Sequence, residues 1–474
     1  MKVNMKRLVN FALLLLLLFS SGGLSENIDA DDGDNQIDRF CYPESKKNTR
    51  TSCECNNVSA SPWGMRALHI DCSYKYYKTD DLNAQLPLYI DTLDLSWNNL
   101  NGSPPIFISD SLHQLNLMHN NISQLINNNF AKLNCLRELY LGWNSISQVG
   151  EKAFSDLPHL QTLDLAHNNL FALPGQLFMP LLVLNSLDLS WNRKLNQTTT
   201  SSLDLYGQLG INSKLSILRL DACNLSELYL PEKVPLKELS LRRNLFERVP
   251  KQLPSSLVQF DISDNLLEQL LPEDTANLTQ VRQLYVEDMP RLQSIAAHAL
   301  VPIELLETVS FQNSRKLSHL DSYAFGINPG KVPTNLKTLI FRGTLLRGFN
   351  STFLPLFQQL TELDLNGVPL HCDCELAWLK DLKIETNGRC YKPSKIRGLL
   401  VSSAKRNSFS CDTWPRWAYG LIVLCLIALC AAGVYLLVMG LRPHRAVTMR
   451  RKVGSGSPYA RVTIEPNRQE NFHH

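Results

Sequence analysis

Along most of this chain, apolar residues return in a fixed frame. In LQTLDLAHNNL, Leu160 to Leu170, leucines hold the first, fourth, sixth and eleventh places and an asparagine the ninth. Leu163 and Leu165 alternate with Thr162, Asp164 and Ala166, the period-two pattern of a short strand that buries one face. The frame recurs from Ile90, Leu112, Leu136, Leu160, Leu184, Leu215, Leu236, Leu257, Val281, Leu306, Leu336 and Leu360, twelve copies spaced 21 to 31 residues apart. A single copy cannot bury its own leucines, but stacked copies bury each other's, so the pattern predicts one continuous, elongated core. Twelve parallel strands at about 4.8 Å spacing would form a sheet roughly 50 Å long, the size of a protein-binding surface.

The frame L-x-x-L-x-L-x-x-N-x-L at this period resembles the leucine-rich repeat. The resemblance implies an α/β solenoid, a horseshoe of about twelve repeats with a parallel β-sheet on its concave side. Asn98, Asn120, Asn144, Asn168, Asn192, Asn244 and Asn265 fill the ninth place, where a buried amide is able to satisfy the turn that leaves the strand; Cys223 takes the allowed alternative. Met289, Ser314, Thr344 and Val368 hold that place in the last four copies, so regular geometry is expected to weaken beyond Thr279.

The ends of the chain point to a membrane. Lys2, Lys6 and Arg7 precede an apolar run and then small residues, which reads as a signal peptide over 1–25, followed by an acidic leader over 26–39. After a stalk at 412–417, residues 418–441 are uncharged and long enough to cross a bilayer as a helix. Arg442, Arg445, Arg450, Arg451, Lys452 and Arg461 follow it, which places the tail, 442–474, in the cytoplasm and makes the chain a single-pass type I protein of the plasma membrane. The formal charge of +3 belongs to the ends: the signal holds three cations, and the tail seven cations and two anions. The stretch between is net acidic, which argues against a nucleic-acid partner.

The cysteines fit a secreted environment. Cys41, Cys53, Cys55 and Cys72 cluster before the array, and Cys372, Cys374, Cys390 and Cys411 after it; each group could pair three ways. Both groups, the second through CDCELAWL and CYKPSKIRGLL, resemble the cysteine-rich caps of extracellular leucine-rich repeat proteins. That resemblance implies an N-terminal cap over 40–85, an array over 86–370 and a C-terminal cap over 371–411. It also implies the pairs Cys41 with Cys55, Cys53 with Cys72, Cys372 with Cys390 and Cys374 with Cys411. Val368-Pro369 stands where the family usually shows Asn-Pro. Zinc is the rival reading of Cys-x-Cys, and the secretory route disfavours it. Of the others, Cys223 reads as a small buried hydrophobe, Cys425 and Cys430 as filler in the apolar helix, and Cys135 has no evident role.

Candidate sites follow from this topology. Seven N-x-S/T sequons, at Asn57, Asn101, Asn121, Asn196, Asn224, Asn277 and Asn350, all precede the apolar helix, and none falls on a repeat strand, so glycans would leave the sheet open. The eighth place reads Trp97, His119, Trp143, His167 and Trp191 down the first five copies, beside Tyr140 at the fifth. With Asp91, Asp94, Glu138, Asp164 and Asp188 on the same face, these form a candidate ligand patch, with Trp97, Tyr140, Trp143 and Trp191 as aromatic anchors. The competing reading is that a Trp there packs over the neighbouring turn. His119 and His167 are two copies, roughly 10 Å, apart, too far to share a metal, and no metal or cofactor is expected. In the tail, Tyr459 and Val462 fit the Y-x-x-bulky sorting pattern and leave room for a cytoplasmic adaptor. No phosphate loop, nucleophile elbow or metal helix stands out, so an enzyme is not expected. The leading reading is a cell-surface glycoprotein that binds an extracellular protein ligand or cell-surface receptor, in cell adhesion or receptor signalling. The alternative is a non-signalling modulator or co-receptor acting in cis, or by sequestering ligand.

Overall fold

The computed structural model describes residues 40–41, 52–58, 67–195 apart from 83 and 88, 203–211, 214–326, 335–411 apart from 410, and 416–440. The signal peptide, the leader, Asn196 and the tail with Tyr459 and Val462 lie outside them. The described chain divides at residue 411 into a repeat unit and a C-terminal unit.

The repeat unit is a leucine-rich repeat β-solenoid. Its principal sheet has 14 strands among the described residues. The first, Glu54–Val58, runs antiparallel to the second, Ala67–Asp71, and every later strand is parallel to its neighbours in chain order. Each copy of the frame supplies one strand, with the same place opposite itself from coil to coil. Leu163 lies opposite Leu139 on one side and Leu187 on the other, and the long fifth copy does not disturb this, because Leu187 still meets Leu218. Such register is forced, since a slip of one residue would turn every buried leucine to the open face. Leu163, Leu165, Leu187 and Leu189 are fully buried, and a leucine so placed is stabilised by about 2–3 kcal/mol.

Three features differ from the sequence reading. The parallel array begins one coil earlier than residue 86: Leu68, Ile70 and Cys72 are buried in the leucine columns and bring the number of turns to about 13. The last four copies keep their register, through Gln283–Tyr285, Thr308–Ser310, Thr338–Ile340 and Glu362–Asp364. There Ser314 donates to the Val286 carbonyl at 3.2 Å and Thr344 to the Phe341 carbonyl at 2.9 Å, so hydroxyls take over part of the missing asparagines' role. Asn387 of the C-terminal cap accepts the Leu365 N–H at 2.7 Å, a group that in earlier coils is taken by the next strand's carbonyl. Finally, helix in the described repeat unit is confined to short pieces: the α-helices Pro272–Thr275 and Leu354–Gln359, helical residues 40–41, and 3-10 segments such as Ala377–Asp381. A coil of 21 to 25 residues that must cross the core twice leaves too little chain for a longer one.

The turns have their own spine. Phe130, Phe154 and Phe178 stack on one another with centroids 6.3 Å apart at each step. Described residues of the long fifth copy add to this core: Leu205 and Leu209 are buried, and Leu203–Asp204 pairs with Leu228–Tyr229. Disulfides Cys41–Cys55 and Cys53–Cys72 close one end and Cys372–Cys390 and Cys374–Cys411 the other.

In the C-terminal unit, Arg416–Gly440 is one helix of 25 residues, of which Ala418–Met439 is long and apolar enough to cross a membrane. Its leucines, isoleucines and valines are exposed on every side, from Leu421 to Met439, and an all-round apolar helix of this kind needs an apolar solvent.

Candidate functional site

The asparagine column shows how each coil fixes the next. Asn168 donates through Nδ2 to the carbonyls of Leu141 at 3.0 Å and Leu165 at 3.1 Å, and its Oδ1 accepts from Ile146 N–H at 2.9 Å. One buried amide thus ties two adjacent turns, and Asn98, Asn120, Asn144, Asn192, Asn244 and Asn265 repeat the contact. Cys223 keeps part of it, with Sγ donating to the Leu189 carbonyl at 3.2 Å. Burial pushes that thiol up to about 12, so it stays protonated.

Immediately before this column the backbone turns left-handed. The eighth place has a positive φ in coil after coil: 58° at Trp97, 53° at His119, 56° at Trp143, 53° at His167, 61° at Trp191 and 58° at Arg243. Late in the array glycine takes over, at Gly343 and Gly367. A side chain there costs about 1–2 kcal/mol of backbone strain, which the early coils offset by stacking. Centroid distances run 5.3 Å from Tyr74 to Trp97, 3.7 Å to His119, 5.1 Å to Trp143, 3.6 Å to His167 and 4.9 Å to Trp191, and no adjacent pair is tilted by more than 19°. The guanidinium groups of Arg193 and Arg243 close the ladder, 5.4 Å and 5.1 Å from the Trp191 ring.

Each tryptophan thus packs over its neighbours' turns and still leaves an edge outside: Trp97 and Trp143 are both 47% exposed. Trp97, Trp143 and Trp191 belong to one stack, whereas Tyr140 stands on the sheet with its hydroxyl donating to Glu138 Oε2 at 2.9 Å. The two imidazoles are held apart by the Trp143 ring. Burial holds both below their ordinary value, helped at His167 by His119 and opposed there by Asp188.

Sequence reasoning missed Tyr74 and Arg243. Tyr74 falls in the extra coil, and Arg243 reaches Trp191 only because the coil between them puts the small, buried Ala222 at the eighth place. That alanine, read down the column, was the available signal.

The carboxylates divide into two kinds. Asp91 is 5% exposed and bonded to His113 Nδ1 at 2.7 Å, so its charge is engaged within the fold. Asp94, Asp164 and Asp188 each accept the N–H two residues on, at 2.7 to 2.9 Å, so the fifth place caps the turn with one oxygen. None of these three has an ion pair among the described residues. Beyond Arg219 several carboxylates are paired, Asp288 with Arg242, Asp264 with Arg243, Glu307 with Arg282 and Lys337, and Asp364 with Arg342, whereas Asp221, Asp261 and Glu287 form no ion pair among the described residues. Arg242 and Arg243 are thereby neutralised.

Asp164 lies close under the neighbouring coil because that coil has Gly142: a Cβ there would come within 3.1 Å of both carboxylate oxygens. Burial, with the like charge of Asp188 and against the Ala166 N–H and Arg219, pushes its carboxyl up to about 6. Burial, then Glu138 and Asp164, push the Tyr140 hydroxyl up to about 12. A carboxyl raised in the fold binds its proton more tightly folded than unfolded, so its stabilising effect is complete below pH 3.8 and is lost as pH rises through about 6. Asp164→Asn is expected to stabilise the protein by about 1–2 kcal/mol at pH 7.5, after allowance for partial solvent screening. At pH 4 the gain should vanish, and a melting-temperature difference independent of pH would contradict the assignment.

Asn101 and Asn121 sit opposite each other on a small flanking sheet, and Asn224, Asn277 and Asn350 are exposed off the main one. Asn57 is instead in the antiparallel edge strand Glu54–Val58.

A leucine-rich repeat profile matches residues 139–193, and a second leucine-rich repeat profile matches 89–110. Toll-like receptor 9 of Mus musculus is 31% identical over 131 residues, 28% of this chain and 11% of that one. Human (Homo sapiens) chondroadherin-like protein is 35% identical over 65 residues, 13% of this chain and 8% of that one. The matched segments are thus a small part of both relatives. Among solved structures, the Toll–Spatzle complex of Drosophila aligns at 21% identity and TM-score 0.46, covering 69% of this chain and 55% of that chain. An octameric complex of Latrophilin 3, Unc5D and FLRT2, the last contributing its leucine-rich repeats, aligns at 18% identity and TM-score 0.40, with coverages of 76% and 98%.

Proposed function

We propose that this chain is a single-pass cell-surface recognition protein whose repeat unit binds an extracellular protein ligand on the N-terminal half of its sheet face, in adhesion or receptor signalling. The observation that carries the reading is the aromatic ladder from Tyr74 to Trp191, two of whose indoles are half exposed beside a row of carboxylates without ion pairs. Indole edges offer large contact area at little cost in side-chain freedom, and free carboxylates beside them suit a basic partner. In the C-terminal half several carboxylates are already engaged by arginine or lysine, so fewer are open to a basic ligand.

The test is capture of a partner on cells displaying the full-length protein, followed by affinity measurement on variants. Trp143→Ala with Trp191→Ala is expected to weaken binding at least tenfold, in line with about 2 kcal/mol for a hot-spot aromatic. Tyr323→Ala, an exposed aromatic in the other half, should leave binding unchanged. Undiminished affinity in the double tryptophan variant, with surface display intact, would move the site elsewhere.

A further inference from the structure

The C-terminal cap carries two clefts that share two residues, Asn350 and Glu375. One, of about 260 Å³, is lined by Arg347, Phe349 and Leu376, and the other, of about 500 Å³, by Cys374, Trp378 and Arg406; Asn350 lines both. The larger volume falls within the range of about 300–1,000 Å³ usual for small-ligand sites.

Asn350 opens the sequon Asn350-Ser351-Thr352. Its Oδ1 accepts the Thr352 N–H at 3.0 Å and caps the short 3-10 helix Ser351–Phe353, which sets the plane of the amide. Its Nδ2, the atom that would carry a sugar, has no hydrogen-bond partner among the described residues. The corresponding atoms of Asn224 and Asn277 are engaged, donating to the carbonyls of Arg193 at 2.8 Å and Lys251 at 2.9 Å.

The larger cleft suits a sugar. The Trp378 ring packs against Phe357 at 5.6 Å, and beside it stand Glu375 and the Arg406–Asp381 ion pair at 3.2 Å. An indole takes the C–H face of a pyranose, and the guanidinium and carboxylates take its hydroxyls. The cleft also borders an accessible disulfide: Cys374 and Cys411 are exposed, whereas Cys372 and Cys390 are buried.

We propose that an N-linked glycan on Asn350 folds back onto the cap, its innermost N-acetylglucosamine residues filling the Trp378 cleft and covering the Cys374–Cys411 bond. Covalent attachment at the rim raises the effective concentration to about the millimolar range, so weak contacts suffice. The proposal rests on the reading that the repeat unit enters the secretory lumen.

The test uses full-length protein carrying oligomannose glycans, in detergent. Thr352→Val removes the sequon and keeps the Asn350 cap, and it sacrifices no bond, because Thr352 Oγ1 is buried without a hydrogen-bond partner. Asn101→Gln removes a sugar elsewhere and serves as control. Mass spectrometry reports which sequons are occupied; hydrogen exchange over 374–381 and the reduction rate of Cys374–Cys411 report cover. Expected are an occupied Asn350 and severalfold faster exchange and reduction in Thr352→Val but not in Asn101→Gln. Trimming by an endoglycosidase that leaves one N-acetylglucosamine should retain most of the protection. Equal rates in Thr352→Val and the unaltered protein, or a bare Asn350 beside other occupied sequons, would overturn the proposal. Sugar at no sequon at all would remove the lumenal reading with it.

Discussion

Replacing Asn168 with alanine is expected to destabilise the repeat unit by about 3 kcal/mol or more, because truncation strands several buried backbone groups at about 1–3 kcal/mol each. The side chain is 6% exposed and joins its own coil, through Leu165, to the preceding one, through Leu141 and Ile146. Its neighbour Asn169 is exposed, and Asn169→Ala should change stability by no more than about 0.5 kcal/mol. Denaturant midpoints of the two variants would check this, together with the fraction reaching the cell surface. Were the two to behave alike, the column would not be what joins one coil to the next.

The second large effect is expected at the C-terminal end. Cys372 and Cys390 are almost fully buried and closed into a bond across 18 residues of sequence. Replacing both with serine removes a constraint worth about 3 kcal/mol by chain entropy and puts two hydroxyls in an apolar site. The cap covers the leucine face of the last coil, so its loosening should fray the array from that end. Hydrogen exchange should rise first around Leu363 and Leu365 and remain unchanged near Leu139. Uniform acceleration along the whole array would show that the cap does not act locally.

Much of the fold was legible because each coil contacts chiefly its neighbours. Leu163 needs only Leu139 and Leu187, the same place in the copies before and after, so reading one copy amounts to reading its surroundings. The asparagine column was legible for the same reason. Where the pattern faded the reading fell short. Met289, Ser314, Thr344 and Val368 suggest decay, yet the hydroxyls of Ser314 and Thr344 perform part of the missing amide's work. Ala67–Asp71 reads as cap in the sequence because cysteine, not leucine, closes its buried row at Cys72.

The candidate site was half legible. A tryptophan at the eighth place was visible as a column, but whether it projects or stacks depends on a left-handed backbone that no single residue announces. Asp91 looked like its neighbours until His113 was found against it.

The spacing of aliphatic residues by itself determined that this protein is a stack of coils with one buried row and one open row, followed by an apolar helix. Burial of leucine is additive and indifferent to direction, so period alone is enough to specify it. Tertiary structure decided what lies on the open row. The stacking of Tyr74 through Trp191, the reach of Arg243 across Ala222, the sharing of Asp91 with His113 and the seat of Asn350 between two clefts all depend on side chains far apart in sequence meeting in one geometry. Directional contacts of that kind are set by the register and twist of neighbouring coils, which no one copy of the frame contains.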